Sequence, residues 1–233
     1  MSIKVALQHN TSYKYEREIT VSPQIIRLRP APHTRTPISA YSLQISPVNH
    51  FINWQQDPFG NYLARIVFPE KINHFKVEVE LIAEMVVINP FDFFVEESAE
   101  LFPFVYDPLV KQQLAPYLEH GETGDLFDSL LKEARQFIEK DQKTINYLVA
   151  LNQLIHDKLQ YQIRMEPGVQ SPEESLKLQC GSCRDFAWLF VQLLRSLGLA
   201  ARFVSGYLIQ LKPDVIMTVE IELAGERQIG RYF

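Results

Sequence analysis

After residues 89–108 the spacing of apolar residues switches from a period of two to a period between three and four. That change constrains the fold more than any other feature. Ahead of it, residues 76–87 place Val77, Val79, Leu81, Ala83, Met85 and Val87 on one face. Lys76, Glu78, Glu80, Ile82 and Glu84 take the other. Alternation this long predicts a half-buried strand of an antiparallel sheet. Tyr41, Leu43 and Ile45 alternate with Ser42, Gln44 and Ser46 in the same way. Asp57-Pro58-Phe59-Gly60 predicts a turn joining 51–56 to 62–68 as a hairpin. Asp bonds its own backbone there, Pro presets φ, and Gly suits the fourth position. Helix signatures are absent from residues 1–88, so this part reads as a small antiparallel β-sandwich or barrel.

Residues 89–108 carry five of the fifteen phenylalanines and three prolines. They read as part of a connection, residues 89–120, whose aromatics pack on the domains at either end. Beyond it the helical period begins. Leu126, Phe127, Leu130, Leu131, Ala134, Phe137 and Ile138 form one amphipathic stripe, with Asp125 as its expected N-cap. Ile145, Leu148, Leu151, Ile155 and Leu159 form a second. Ser171-Pro172-Glu173-Glu174 combines an N-cap Ser, a first-turn Pro and a Glu at the capping-box position. That third helix is expected to be short, interrupted by Gly181. A fourth runs from Cys183 to Leu197 on Phe186, Leu189, Phe190, Leu193, Leu194 and Leu197, with Gly198 as its terminator. Residues 200–209 then read as a buried strand. Residues 215–223 and 227–233 read as two more, joined by Ala224-Gly225.

Composition narrows the function classes. At 233 residues the chain suits one large domain or two small ones, given a prior of ~150 residues per domain. A 46% hydrophobic and 22% charged content is globular. The net charge of −5 argues against a nucleic-acid partner. No apolar run approaches the ~20 residues of a membrane span, and the first residues lack the pattern of a secretory signal. A cytoplasmic location is therefore expected, with no membrane partner. Cys180 and Cys183 are too close in sequence to staple a fold. Without a second Cys pair or an HxxxH they do not spell a zinc site, so no metal and no cofactor is expected.

Cys183 falls in the first turn of the most apolar helix. There the helix dipole and free N–H groups favour a thiolate, and Arg184 adds positive charge. Gly181 would let the chain turn sharply and a carbonyl approach, and the Cys183 amide could serve an oxyanion. An inert, buried small residue is the alternative reading of the same thiol. Gln179 is either a donor near an oxyanion or a plain loop residue. Asp185 is expected to cap or pair at the helix start rather than to act as a catalytic acid.

Residues 173–208 contain Gly181, Cys183, Asp185, Ala187, Arg195, Gly198, Ala201, Arg202, Val204, Gly206 and Tyr207 at the spacing of the catalytic core of the transglutaminase-like superfamily, which they resemble. HNTSYKYE (9–16), PQIIRLRPAPH (23–33) and DPFGN (57–61) resemble the β-rich region that precedes this core in bacterial members. The resemblance implies an α+β protein: an N-terminal antiparallel β-sandwich (1–88), then a papain-like core (121–233). It also implies Cys183 as nucleophile of a Cys-His-Asp triad acting on a protein or peptide. Arg202 and Tyr207 are expected to hold the sheet.

The family's histidine follows its cysteine in a His-Ala-Trp strand, and its aspartate in an Asp-Pro motif. Here none of the residues after Cys183 is His, and Asp214 follows a proline instead of preceding one. His156 lies upstream beside Asp157, and His9, His33, His50, His74 and His120 lie further back. The core is therefore expected to be incomplete at its C-terminus, as in a truncated or frame-altered chain, with activity weak or absent. Two other readings stay open: a binding or scaffold protein that keeps the fold after losing the triad, and a CxxC redox pair at a helix start. Oligomeric state is not legible in the sequence.

Overall fold

The computed structural model of the chain describes residues 3–85, 94–121 and 123–207, together with the backbone of Glu220–Leu223 and Glu226–Ile229. The chain divides into two compact units.

In the first, the period of two becomes six strands. They are β1 (Ile3–Ile19), β2 (Gln24–Ile26), β3 (Ile38–Ser46), β4 (Phe51–Gln56), β5 (Tyr62–Val67) and β6 (Ile72–Met85). They form two three-stranded antiparallel sheets, ordered β1-β6-β3 and β2-β5-β4. The long alternating strand is the centre of the first sheet. Leu81 pairs with Leu7 on one side and Tyr41 on the other, and Val77, Val79, Leu81 and Ala83 are buried. Val87 lies outside the described residues. The 57–60 turn forms as read: the Asp57 carboxylate accepts from the amides of Phe59 (3.0 Å) and Asn61 (2.8 Å), and Gly60 takes φ +82°. Ile26, Ile45, Ala64, Ile66, Phe68, Phe75, Val77 and Val79 form one core drawn from both sheets. Arg29 ties the sheets at their rim. Its guanidinium carbon lies 4.4 Å from the Tyr62 ring, 5.2 Å from Trp54 and 5.7 Å from Tyr41.

The second unit is mainly helical. After β7 (Leu101–Phe102) come α1 (Pro108–Gln113), α2 (Ala115–Leu118), α3 (Asp125–Gln136), β8 (Gln142–Lys143) and α4 (Thr144–Lys158). These are followed by β9 (Gln160–Tyr161), α5 (Pro172–Leu178), β10 (Cys180–Gly181) and α6 (Cys183–Ser196). The apolar stripes read from the sequence converge. Phe127, Leu130, Ala134, Leu151, Ile155, Leu159, Leu189 and Leu193 are buried in one cluster, flanked by Phe186, Phe190, Leu194 and Leu197. Residues 94–120 add to this unit more than a connection would. β7 pairs with β8, and the Phe102 ring stacks on Tyr147 at 4.3 Å. The buried Tyr147 hydroxyl donates to the Ala134 carbonyl at 3.0 Å, and desolvation pushes its pKa up to about 12. Gly198, at φ +83°, ends α6: the amides of Gly198 and Leu199 bond back to the carbonyls of Arg195 and Leu194 (both 2.9 Å), a Schellman arrangement.

Three expectations need correcting. Asp125 is not the N-cap of α3; Gly124 takes that position and Asp125 is the first helical residue. The cap comes from another helix: the Glu173 carboxylate of α5 accepts from the amides of Leu126 (3.1 Å) and Phe127 (3.0 Å). A Cβ on Gly124 would sit 2.4 Å from the Glu173 carboxyl carbon, so glycine leaves the room this requires. Second, α5 ends at Gln179, in the left-handed region at φ +52°, before Gly181 is reached. Third, residues 200–207 form no strand, and 202–207 are exposed; 208 and 209 lie outside the described residues. A strand needs a neighbour to complete its backbone bonds. Here the Ala200 amide donates to the Tyr106 hydroxyl, the Ala201 amide to the Tyr117 carbonyl, and Arg195 Nε to the Ala201 carbonyl. Of the expected tail strands, the described parts, β11 (Glu220–Leu223) and β12 (Glu226–Ile229), pair antiparallel.

Candidate active site

Cys183 is the first residue of α6, and both it and Cys180 are free, partly exposed thiols. The turn that delivers it is tied down on both sides. Upstream, β10 lies parallel to β9, Cys180 opposite Gln160 and Gly181 opposite Tyr161. The Gln160 amide donates to the Gln179 carbonyl and the Gln162 amide to the Gly181 carbonyl, both at 2.9 Å. Gln179 is thus an exposed left-handed cap whose backbone holds the ladder.

Downstream, Asp185 closes the turn from inside. It is fully buried. Its Oδ2 accepts from the Ser182 amide (2.8 Å), the Ser182 hydroxyl (2.7 Å) and Arg164 Nε (3.0 Å). Its Oδ1 accepts from the Gln170 amide (2.8 Å) and Arg164 Nη2 (3.1 Å). Burial by itself would raise the pKa of this carboxyl. The guanidinium and the other donors outweigh it and hold the group well below the usual carboxylate range. Asp185 therefore caps and pairs, as expected of it. Gly181 is needed for closeness rather than for a special φ. A Cβ there would meet Asp185 Cβ at 2.9 Å and Gln170 Oε1 at 3.2 Å.

Arg164 escaped the sequence reading. Its side chain is nearly buried, forks onto Asp185, and donates from Nη2 to the Gly168 carbonyl at 2.9 Å. The only signal was indirect: a buried aspartate requires a cation, and nothing in a 21-residue separation says which one. Arg184 turns towards the same loop, where Nη2 donates to the carbonyls of Arg164 and Glu166. Tyr161 is a further neighbour of the thiol. Desolvation, and then the negative charge of a Cys183 thiolate, push its phenol up.

The histidines are engaged elsewhere. His156 is exposed on α4, 3.4 Å from Asp157, and His120 Nδ1 lies 3.2 Å from the Gly121 carbonyl. His9, His33, His50 and His74 belong to the β-rich unit. Among the described residues, no hydrogen bond joins Cys183 to a histidine, and no three His, Cys, Asp or Glu side chains are grouped to hold a metal ion. Arg202 and Tyr207 lie in the exposed 202–207 stretch, where both are partnered. No described sheet includes them, which corrects the expected role.

Comparison with known proteins follows the same division. Residues 5–84 match the bacterial transglutaminase-like N-terminal region, and residues 132–227 match the transglutaminase-like superfamily core. The chain is a transglutaminase-like superfamily protein. The core match extends past the cysteine elbow into the tail beyond residue 210. A relative, the uncharacterized protein ML0607 of Mycobacterium leprae (strain TN), is 26% identical over 94% of this chain and 76% of its own length. The fold is shared with a crystal structure of "a Putative Cysteine Protease from Cytophaga hutchinsonii" at a TM-score of 0.59 and 20% identity. That match covers 85% of the transglutaminase-like chain described here and 65% of the crystallised one, so this chain spans about two thirds of that protein's length. No helix among the described residues is long and apolar enough to cross a membrane.

Proposed function

We propose that Cys183 is the nucleophile of a cysteine-dependent acyl transfer on a peptide or protein amide. The thiolate adds to the carbonyl carbon, the C–N bond breaks, and the leaving amine takes a proton. Water then resolves the thioester to an acid, or a second amine resolves it to a new amide, and the thiol is restored. The observation that carries this is the placement of Cys183 as the first residue of a 14-residue helix, on a turn locked by the buried Asp185. The helix N-terminus presents partial positive charge and free amides where the thiolate and an oxyanion would form. The name of the Cytophaga relative favours hydrolysis over cross-linking.

Turnover in this chain is weak or absent. No histidine follows Cys183, and the described histidines make their bonds elsewhere. Loss of one member of such a triad typically costs about 10⁴-fold or more in turnover. The same observation favours a second reading, a binding or scaffold protein that keeps the fold. An activated ester separates the two. p-Nitrophenyl acetate should give one equivalent of product per Cys183 and then stall, with nothing from Cys183→Ala, while a fluorogenic peptide amide is barely cleaved. A Cys183 inert to the ester would leave only the scaffold reading. Rapid amide cleavage, abolished by iodoacetamide, would overturn the expectation of weak turnover.

A further inference from the structure

The Cys183 turn carries a charge problem that the acyl-transfer reading alone leaves unexplained. Asp185 stands two residues after the nucleophile, is fully buried, and accepts from the backbone amides of Gln170 and Ser182 that shape the turn. An isolated carboxylate there would oppose formation of a thiolate beside it. Arg164 meets it with a two-point fork at 3.0 and 3.1 Å, and the same guanidinium binds the Gly168 carbonyl. It reaches Asp185 from the loop after β9, the strand that also pairs with the turn itself.

We propose that Arg164 is a positioning residue for Cys183: it cancels the Asp185 charge beside the thiol and locks the 164–170 loop to the Gly181-Ser182-Cys183 turn. The role rests on Cys183 being the nucleophile. The other ionisable groups around the turn are Arg184 on α6, Tyr161 on β9, Cys180 on β10, Glu166 in the loop and Glu174 on α5. Of these, Arg184 is turned to the carbonyls of Arg164 and Glu166, Glu166 pairs loosely with Arg164 at 3.7 Å, and the Tyr161 phenol is neutral at physiological pH. The Arg164–Asp185 pair is therefore the strongest ion pair at the elbow, and its balance sets the field at the thiol.

The test uses the full chain in a Cys180→Ser background, so that Cys183 is the single thiol, and follows iodoacetamide alkylation against pH with circular dichroism as a folding control. Arg164→Gln leaves the Asp185 charge uncancelled and should move the alkylation profile about one pH unit higher. Arg164→Lys, which keeps the charge without the fork, should restore most of it. Asp185→Asn reverses the imbalance and should move the profile the other way. A folded Arg164→Gln or Asp185→Asn with an unmoved profile overturns the inference. If Arg164→Gln does not fold, Asp185→Asn against Arg164→Lys decides it, since a purely structural role gives all folded variants one profile. Failure of the nucleophile reading looks different: the parent Cys183 would then alkylate no faster than free cysteine, whatever stands at 164.

Discussion

Asp185 is the residue on which the elbow depends, and its chemistry makes a pH prediction. The folded state holds its carboxyl well below the ordinary range, so the unfolded chain binds this proton first as the solution is acidified. The stabilisation is complete above the ordinary Asp value of about 4 and is lost as pH falls through the lower folded value. Thermal melts of the parent should therefore decline in acid, beginning below about pH 4. Asp185→Asn should start less stable at pH 7 and show a shallower acid decline; an identical decline in both would refute the assignment. The type of residue needed here was legible from Gly181, Cys183 and Asp185 alone, because a helix start with a nearby carboxylate has few uses. Arg164 was not legible, since sequence spacing carries no information about which loop folds back over a buried charge.

Among the elements, α3, α5 and α6 show how helix ends are satisfied across the unit. The α6 stop was readable, because a Schellman ending is a local device that Gly198 signals by itself. The α3 start was not, because its cap is a side chain from α5, far away in sequence. Glu173→Ala should leave the amides of Leu126 and Phe127 unpaired and cost about 1 kcal/mol in urea unfolding. Glu174→Ala serves as the control, since the Glu174 amide, which donates to Ser171 Oγ at 3.1 Å, is kept and the α3 cap is untouched. Equal costs for the two would contradict the cross-helix cap. The stretch 200–207 teaches the converse. Its apolar run satisfied a strand pattern, but pattern alone does not supply a neighbouring strand.

At the scale of the whole molecule, the described residues include two hydrophobic clusters with no residue in common, one from strands and one mainly from helices. Val79 and Leu189 are fully buried, one in each. Leu189→Ala should cost about 2–5 kcal/mol and Val79→Ala somewhat less, from lost transfer energy plus the cavity left behind. Because the two residues belong to separate clusters, the double variant should equal the sum of the singles to within about 0.5 kcal/mol in denaturant melts. A larger discrepancy would mean that the two cores are energetically coupled.

The division into a β-rich half and a helical half, the central strand, the 57–60 turn and the apolar helix opened by Cys183 all followed from sequence. Each depends on periodicity or on residues a few positions apart, where the backbone itself dictates who meets whom. Tertiary structure alone decided that Glu173 caps α3, that Arg164 neutralises Asp185, and that residues 200–207 have no described strand partner. Those outcomes turn on which distant groups meet in space, where a buried charge must find an opposite one and a backbone amide must find an acceptor.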